Sequence, residues 1–489
     1  MVERRVKFRL WSAVLLVTPL VSASDIQTLL SALRAQDYQK ALMVAKELKA
    51  ENASDPRVWT LEGLANEKLN HPAEALGDYR SALKVKPDYL PALKAEAQLE
   101  YASADKEAGK TLERILKLEP ADQVSHAMLA SLAYKGGNCQ AAVVQYRQSS
   151  EVIAAKPDAL TQYGECLLKR GQAEEATAVL AQVAALEPNQ WWPRYNLVSA
   201  QLACKKASEA VKTIEPVLNA APVQPQVLDL AAEAYEMTGD TPRAVELLRQ
   251  AILAQPKNEA YYLHFADLCF DHTSFKVGID MIDAGLTQLP GSAKLYLARG
   301  VLWGQLGDFA KAESDFDHAD HLDGGAMGGA AASLAELQNS NLDKALQLAR
   351  TKLQTNPQDP MLCYVKAETL KQMGVGAGTP EFREALDSAA KAVRLKPGFA
   401  AAQNLLGALY MQESQFQLAS RQFQAVLKKD PADQTALYHL IQVARKTGRS
   451  EDVPRLIQQL AQAKVTQRQR DEMTGRYRLV EAQSPEAGR

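Results

Sequence analysis

Apolar residues recur at intervals of three and four positions along nearly the whole chain, which is the spacing of one face of an α-helix. No stretch keeps the strict apolar–polar alternation of a half-buried strand. A longer period accompanies the first: a small residue, a large apolar residue four positions later, and then Pro. This set recurs about every 34 residues, a period typical of stacked helix pairs. Its clearest occurrences are Ala75/Tyr79/Pro87, Ala176/Leu180/Pro188, Ala244/Leu248/Pro256 and Ala419/Phe423/Pro431.

One unit near the end of the chain shows why this spacing suits a helix pair. Leu406 and Tyr410 are four positions apart, so they share one face of the first helix. Gly407 and Ala419 are small, which allows the two helices to approach closely. Phe423 can then fill the space between them, and the Pro that follows ends the second helix. The combination of Leu-Gly-x-x-Tyr, Ala-x-x-x-Phe and Pro closely resembles the tetratricopeptide repeat.

The resemblance covers nearly all of the chain after its first residues and implies an all-α fold. We expect an α-solenoid superhelix of about 13 stacked helix-turn-helix repeats over residues 24–463. Because each repeat packs only on its neighbours, such a stack can exceed the length that a single core supports. An Arg- and Gln-rich segment, 464–489, is predicted to form a capping helix and a disordered tail.

Glycine and proline mark the ends of the predicted helices. The turns inside the pairs are predicted at Gly137, Gly171, Gly239, Gly307 and Gly448. The prolines that end the units are predicted to be Pro56, Pro87, Pro120, Pro157, Pro188, Pro222, Pro256, Pro290, Pro357, Pro397 and Pro431.

Two glycine-rich segments depart from the period. Residues 374–380 predict a loop inserted between the two helices of one pair. Four glycines at 324, 325, 328 and 329 lower the helix propensity there. We interpret them as a poorly formed turn, with a hinge as the alternative.

The first 23 residues differ from the rest of the chain. Four basic residues precede an apolar run over 10–20, and Val21-Ser22-Ala23 supplies the small residues that a signal peptidase reads. This predicts a signal peptide over 1–23 and a periplasmic or secreted protein. An uncleaved membrane anchor is the alternative, which the short apolar run disfavours. No later stretch is long enough to predict a membrane span.

Cleavage would change the net charge from −2 to −5. A mildly acidic chain of this kind has no electrostatic reason to bind nucleic acid, so we expect no nucleic-acid partner.

The chain has five cysteines and no CxxC pair. An odd number cannot pair completely within one exported chain. We expect the cysteines to serve as small apolar residues in helix packing. The alternative is one disulfide among Cys139, Cys166 and Cys204, which lie in neighbouring repeats.

Candidate chemistry is sparse. The loop with Gly374, Gly376 and Gly378 has neither the strand before it nor the Lys-Ser/Thr after it that a phosphate-binding loop needs. His318 and His321 could share a helix face, but the sequence places no third ligand beside them. We find no catalytic signature. The predicted protein is therefore not an enzyme and has no cofactor, no metal and no catalytic residues.

In the family that the chain resembles, the first helix of each pair lines a concave groove. Helical spacing on these helices selects a set of acidic and aromatic residues in the middle of the chain. The predicted groove residues are Asp158, Glu165, Trp192, Tyr195, Asp229, Glu233, Glu236, Asp267, Phe270 and Asp271. Acids around exposed aromatic rings would suit an extended peptide with Lys or Arg side chains and apolar anchors. The alternative is that the acids form a solvated face and that the rings pack between helices.

These expectations combine into one hypothesis about function. The chain is predicted to be an exported protein-binding scaffold that takes other proteins or extended peptides, basic ones among them, in its groove. The expected setting is an envelope assembly or a secretion complex. The alternative is an accessory protein of exopolysaccharide synthesis or export, which would contact glycan or enzyme through groove aromatics such as Trp192 and Tyr195.

Overall fold

The computed structural model describes residues 23–51, 53–220, 222–323 and 328–474. The predicted signal peptide, apart from its last residue, and the end of the predicted tail lie outside the described residues. Within them the chain forms 27 α-helices and one short 3₁₀-helix, with no strand. The all-α solenoid class predicted from the sequence is confirmed.

The chain divides into two compact units, 1–213 and 214–489, and the division falls inside one helix. The helices before that point are α1 (Ala23–Arg34), α2 (Tyr38–Glu51), α3 (Pro56–Lys68), α4 (Pro72–Val85), α5 (Leu90–Ala102), α6 (Ala108–Leu118), α7 (Gln123–Lys135), α8 (Cys139–Arg147), α9 (Ser150–Ile153), α10 (Pro157–Lys169), α11 (Ala173–Leu186) and α12 (Trp192–Ala203). The helix that contains the division is α13 (Ala207–Leu218).

The second unit continues with the same alternation of helices. They are α14 (Pro225–Thr238), α15 (Thr241–Ala254), α16 (Glu259–Asp271), α17 (Phe275–Gln288), α18 (Ala293–Gln305), α19 (Phe309–Asp323), α20 (Gly328–Gln338), α21 (Leu342–Thr355), α22 (Pro360–Gln372), α23 (Pro380–Leu395), α24 (Ala400–Gln412), α25 (Phe416–Lys429), α26 (Gln434–Lys446) and α27 (Val453–Thr474), with the 3₁₀-helix at Ser450–Asp452.

The turn inside each pair contains a residue with positive φ, and these turns give the repeat number. Thirteen of the fourteen described residues with positive φ lie 33 or 34 positions apart, with a single interval of 40, so the described chain holds thirteen helix pairs; the fourteenth, Gly378, lies outside this period. Five of the thirteen are the glycines predicted at such turns. The others are Gln36, Asn70, Ala104, Lys205, Thr273, Ser340, Gly374 and Ser414. Each non-glycine residue pays a small steric cost at this conformation.

The long interval of 40 locates the insertion. Gly374 is the regular turn of its pair, and the extra residues follow it, up to the start of α23 at Pro380. Thr379 caps that helix, because its side chain accepts a hydrogen bond from the Phe382 N–H. The predicted loop between the two helices of this pair is therefore present.

In several pairs, a glycine on the first helix contacts a large residue on the second helix that lies sixteen positions later in the sequence. A Cβ on Gly407 would lie 2.6 Å from the Phe423 ring, and a Cβ on Gly63 would lie 2.5 Å from the Tyr79 ring. Both rings are fully buried. The same relation joins Gly164 to Leu180 and Gly300 to Phe316. Glycine at these positions therefore allows the close helix approach that the spacing predicted.

Prolines occupy two different places in the fold. Most of those predicted to end a unit lie in the turn after a second helix; Pro87 and Pro256 are examples. Pro56 and Pro157 instead are the first residues of α3 and α10, where a missing N–H costs nothing. The prediction is corrected at those two positions.

The glycines before α20 permit a close contact. Gly328 approaches the Phe316 carbonyl and the Asp320 side chain so closely that no Cβ would fit. The Gly329 N–H donates to Asp320 Oδ1 at 2.9 Å, and Lys352 Nζ lies 2.5 Å from Asp320 Oδ2. Gly324 and Gly325 lie outside the described residues. At Gly328 and Gly329, the interpretation as a poorly formed turn is wrong, because both residues are helical and tightly packed.

The last helix, α27, is the second helix of the thirteenth pair and runs without a break through residue 463, where the sequence predicted a boundary. Its first part packs on α26 through Leu456 and Ala463. The segment predicted as a capping helix is thus the continuation of this helix as far as Thr474.

A disulfide joins Cys139 to Cys166, with the two Cα atoms 4.9 Å apart. The expectation that all five cysteines serve in packing is therefore wrong for this pair. Cys139 begins α8 and Cys166 lies in α10, and these two helices pack on each other. Cys204, Cys269 and Cys363 are free thiols, and the last two are buried as expected.

Candidate functional site

Six of the ten predicted groove residues lie on two helices of the second unit, α14 and α16. These are the first helices of consecutive pairs. Between them is a cleft of about 340 Å³. The residues that line it, called the acidic cleft below, are Asp229, Ala232, Glu233, Glu236, Met237, Leu248, His264, Asp267, Leu268 and Asp271.

The position of these side chains follows from helical spacing. Asp229, Glu233 and Glu236 are four and three positions apart, so they follow one face of α14. Asp267 and Asp271, four positions apart, do the same on α16. The structure brings these five acids together in one cleft, and their part in binding a partner stays a prediction.

The floor of the acidic cleft is apolar. Ala232, Leu248 and Leu268 are buried there. Ala232 and Leu248 are the pair sixteen positions apart in this repeat, the place where other repeats have Gly with Tyr or Phe. A leucine has less volume than an aromatic ring. Met237, 42% exposed, adds an accessible apolar side chain at the edge of the cleft.

His264 is the one potentially basic side chain in the cleft lining. Its Nδ1–H donates to Asp229 Oδ1 at 2.7 Å. This hydrogen bond, with the nearby charges of Asp267 and Glu233, raises the pKa of His264 above its usual value. The protonated ring is thus favoured by the cleft and neutralises part of its negative charge.

Three carboxylates in the cleft form no hydrogen bond or salt bridge with the described residues, although His264 or His272 attracts each of them electrostatically: Glu233, Asp267 and Asp271. Partial burial raises the pKa of each of them. The physical cause is the loss of water around the charged form, and a neighbouring acid adds repulsion in each case. A cation that entered the cleft would relieve both effects.

Glu236 is held differently from the other acids. Its Oε1 lies 2.9 Å from Nε2 of His272, whose side chain is only 1% exposed. The same ring nitrogen lies 3.2 Å from the Thr241 hydroxyl. Glu236 Oε2 is buried without a hydrogen-bond partner. The contact with the buried His272 ring therefore fixes the orientation of the Glu236 carboxylate.

Sequence reasoning missed His264 and His272 as parts of this site. His264 lies one helical turn before Asp267, which is a signal that could have placed it on the same face. No comparable signal exists for His272, because its contact with Glu236 crosses between repeats. Phe270, which was predicted, lies beside the cleft, 40% exposed, and its ring packs on Phe275 with centroids 5.9 Å apart.

The other four predicted residues belong to the first unit. Asp158 is exposed in the first turn of α10. Glu165 accepts a 2.5 Å hydrogen bond from the Tyr134 hydroxyl. Trp192 is half-buried and packs against the apolar core around α10 and α11. Tyr195 is half-buried, and its ring contacts Trp191 at 6.0 Å. For Trp192 the structure matches the alternative reading, a ring packed between helices.

Of the two histidines on α19, His318 makes local contacts, and His321 is exposed. His318 Nδ1 donates to the Ser314 carbonyl at 2.7 Å, and its ring stacks on Tyr296. Across the part of the chain that the structure describes, no three or more His, Cys, Asp and Glu side chains are grouped as a metal ion would require. The absence of a cofactor and of catalysis remains a prediction.

None of the helices described is both long and apolar enough to cross a membrane.

The period, the thirteen turns and the glycine–ring contacts define a protein built from stacked helix pairs, and comparisons with known proteins agree. Residues 167–234 match the family model described as "Tetratricopeptide repeat". Residues 400–480 match a model described as "TT21 fifth ARM repeats domain". The first match ends inside α14 and includes three residues that line the acidic cleft, Asp229, Ala232 and Glu233. These findings support a tetratricopeptide-repeat protein.

One curated relative is the DnaJ homolog subfamily C member 3 of Gallus gallus. It is 25% identical over 222 residues, which is 40% of this chain and 44% of the relative. The match thus spans less than half the length of that protein.

Two solved structures are similar along most of the chain. The yeast Tom70 crystal structure has 17% identity and a TM-score of 0.43, covering 91% of this chain and 96% of that one. The crystal structure of the APC/C hetero-tetramer Cut9-Hcn1 has 13% identity and a TM-score of 0.38, covering 93% and 96%. At these TM-scores neither structure extends the description given above.

Proposed function

We propose that this protein is a non-enzymatic interaction scaffold whose acidic cleft binds a Lys or Arg side chain of an extended partner peptide. The observation that carries the proposal is the cleft itself: unpaired carboxylates stand at the sides of an apolar floor. An aliphatic stem of Lys or Arg can lie on Leu248 and Leu268, while its charged end reaches Asp267 or Glu233. Phe270 and Met237 offer contacts for apolar residues beside the basic one.

The cleft fits a basic side chain better than a neutral one. The carboxylates without partners already have raised pKa values, so a cation would recover free energy that partial burial removes. An acidic peptide would meet repulsion from five carboxylates, which His264 offsets only in part.

The proposed setting is an exported complex of the cell envelope or a secretion apparatus. The signal-peptide pattern of residues 1–23 supports export. The Cys139–Cys166 disulfide supports it independently, because such bonds persist mainly in oxidising compartments. The exopolysaccharide alternative relied on Trp192 and Tyr195 as accessible rings, and the burial of Trp192 weakens that support.

The decisive experiment reverses two exposed charges of the cleft. The probe is a fluorescent extended peptide with one Lys between leucines, and a second peptide with Glu in place of Lys. We expect Glu233→Lys with Asp267→Lys to weaken binding of the Lys peptide by about tenfold, since each exposed ion pair contributes about 0.2–1 kcal/mol and the reversal replaces two attractions by two repulsions. Fluorescence anisotropy measures the affinity.

A matched control changes the net charge equally at two exposed acids outside the cleft, Asp280→Lys with Asp317→Lys. This variant should bind within about twofold of the unmodified protein, because distant surface charges are screened by salt. Equal loss in both variants, or equal binding of the Glu and Lys peptides, would show that the cleft does not select a basic side chain.

A further inference from the structure

The second helix of the fourth repeat is interrupted after Arg147, and the disulfide lies at the opposite end of that helix, at its first residue, Cys139. The helix α8 has nine residues, whereas the second helices of the other described pairs run from 11 residues upward. It stops at Arg147, and the short α9 resumes at Ser150. The amides of Gln148 and Ser149 bond three residues back instead of four, which breaks the helical ladder.

A buried apolar cluster that includes Val143, Leu160 and Leu167 packs the joint between α8 and α10. The Tyr146 ring is fully buried there, and its hydroxyl donates to Gln162 Oε1 at 2.6 Å. Arg147 pairs with Glu175 of α11 at 2.6 Å. The Cys139–Cys166 bond adds a covalent link across the same joint, next to Glu165 in sequence.

The two sulfurs differ in accessibility. Cys139 is partly exposed and is the first residue of α8, where unpaired backbone N–H groups stabilise a thiolate. Cys166 is fully buried in the core of the joint. An exposed attacking cysteine at a helix start and a buried resolving cysteine form the arrangement that thiol–disulfide exchange needs.

We propose that Cys139 and Cys166 form an exchange site for a dithiol–disulfide oxidoreductase, and that their bond locks the α8–α10 joint. In forming the bond, the Cys139 thiolate attacks one sulfur of the oxidant's disulfide and expels the other as a thiol. Cys166 then gives up its proton and attacks Cys139 Sγ, which releases the second thiol of the oxidant. Two protons and two electrons thus pass from the cysteine pair to the oxidant.

Reduction follows the reverse path. An incoming thiolate attacks Sγ of Cys139, the less buried of the two residues, and Cys166 leaves and takes up a proton. The joint then depends on noncovalent packing and hydrogen bonds alone. We expect the reduced protein to open locally at α7 to α10, the helices that hold Glu165 through Tyr134, while distant repeats stay closed.

The test uses the full chain purified under oxidising conditions. Alkylation after denaturation without reductant should label three cysteines, and digestion should yield one cross-linked peptide pair containing Cys139 and Cys166. Labelling of all five cysteines would overturn the proposal at once.

The second step reduces the native protein with dithiothreitol and measures hydrogen exchange by mass spectrometry. Exchange in 123–169 should become about tenfold faster, with no change in 400–446. Cys139→Ser with Cys166→Ser should reproduce the reduced pattern, and Cys204→Ser, which changes a free thiol in the next pair, should not. The reduction of the unmodified protein needs no variant to fold.

Two outcomes would contradict the proposal in different ways. A bond that dithiothreitol reduces only in denaturant would be an inert staple, so the exchange site would be wrong. A bond that is reduced natively without faster exchange in 123–169 would rule out the lock. Neither outcome depends on the acidic cleft, so the proposed peptide binding would stand or fall separately.

Discussion

At the scale of single residues, the close approach of Gly407 to Phe423 makes a clear prediction. A Cβ at 407 would lie 2.6 Å from a ring that is fully buried and cannot move aside. Gly407→Ala should therefore destabilise its repeat by about 1–3 kcal/mol, the usual cost of overpacking. Urea unfolding followed by circular dichroism measures the change.

The matched control is Gly77→Ala. Gly77 lies inside α4 with open space around it, so this change should be neutral or stabilising by up to about 1 kcal/mol. Equal behaviour of the two variants would contradict the packing role of Gly407.

A second residue-scale prediction concerns pH and His264. The pKa of His264 is raised by Asp229, so the ring is charged at and somewhat above its usual pKa of about 6.5. The charged ring competes with a basic peptide for the carboxylates. Affinity for the Lys peptide should therefore rise as pH increases from about 6 to 8. The stabilising effect of the Asp229 pair has the opposite trend: it is fully present below the unfolded pKa and is lost as pH rises through the folded pKa.

The variant that isolates this effect is His264→Gln, which keeps a polar side chain and removes the charge. Anisotropy titrations across that range should give a flatter profile, with tighter binding than the unmodified protein at pH 6. An unchanged slope would mean that His264 does not control the charge of the cleft.

At the scale of helices, the joint of α19, α20 and α21 depends on one buried carboxylate. The Asp320 side chain is 6% exposed and serves both the Gly329 N–H and Lys352. Asp320→Ala would leave that N–H and a partly buried ammonium without their partner, at a cost of about 1–3 kcal/mol. Hydrogen exchange should become faster over 312–355. The control is Asp317→Ala, an exposed acid of the same helix, which should change nothing. No difference between the two variants would show that the Asp320 contacts do not hold the joint.

Helix order and period could be predicted from the sequence because spacing alone encodes them. The turns at Gln36, Ala104 and Thr273 could not be identified by residue type, since left-handed backbone is unfavourable for all three, and only the period locates them. The acids of the cleft were predictable because helical spacing puts them on one face. Its histidines and its apolar floor were not, because the His272–Glu236 and Leu248 contacts depend on neighbouring helices. Whether Cys139 forms a disulfide depends on its distance from Cys166 in the folded chain, and the positions of the two residues in the sequence do not give that distance.

At the scale of the whole molecule, export, oxidation and processing should occur together. A bacterial host that secretes the full chain should yield a protein that begins at Ser24 and contains the Cys139–Cys166 bond, because signal cleavage and disulfide formation both follow translocation. The same chain without residues 1–23 should stay in the cytosol with five thiols. Intact mass and thiol alkylation of both samples measure the two events.

Ala23→Arg places a large charged residue where the peptidase reads a small one, so cleavage should fail while translocation continues. A full-length mass for the unmodified protein in the exported fraction would show that the segment is a retained anchor. A reduced pair in a correctly cleaved protein would instead separate export from oxidation and would leave the joint at α8 and α10 dependent on packing alone.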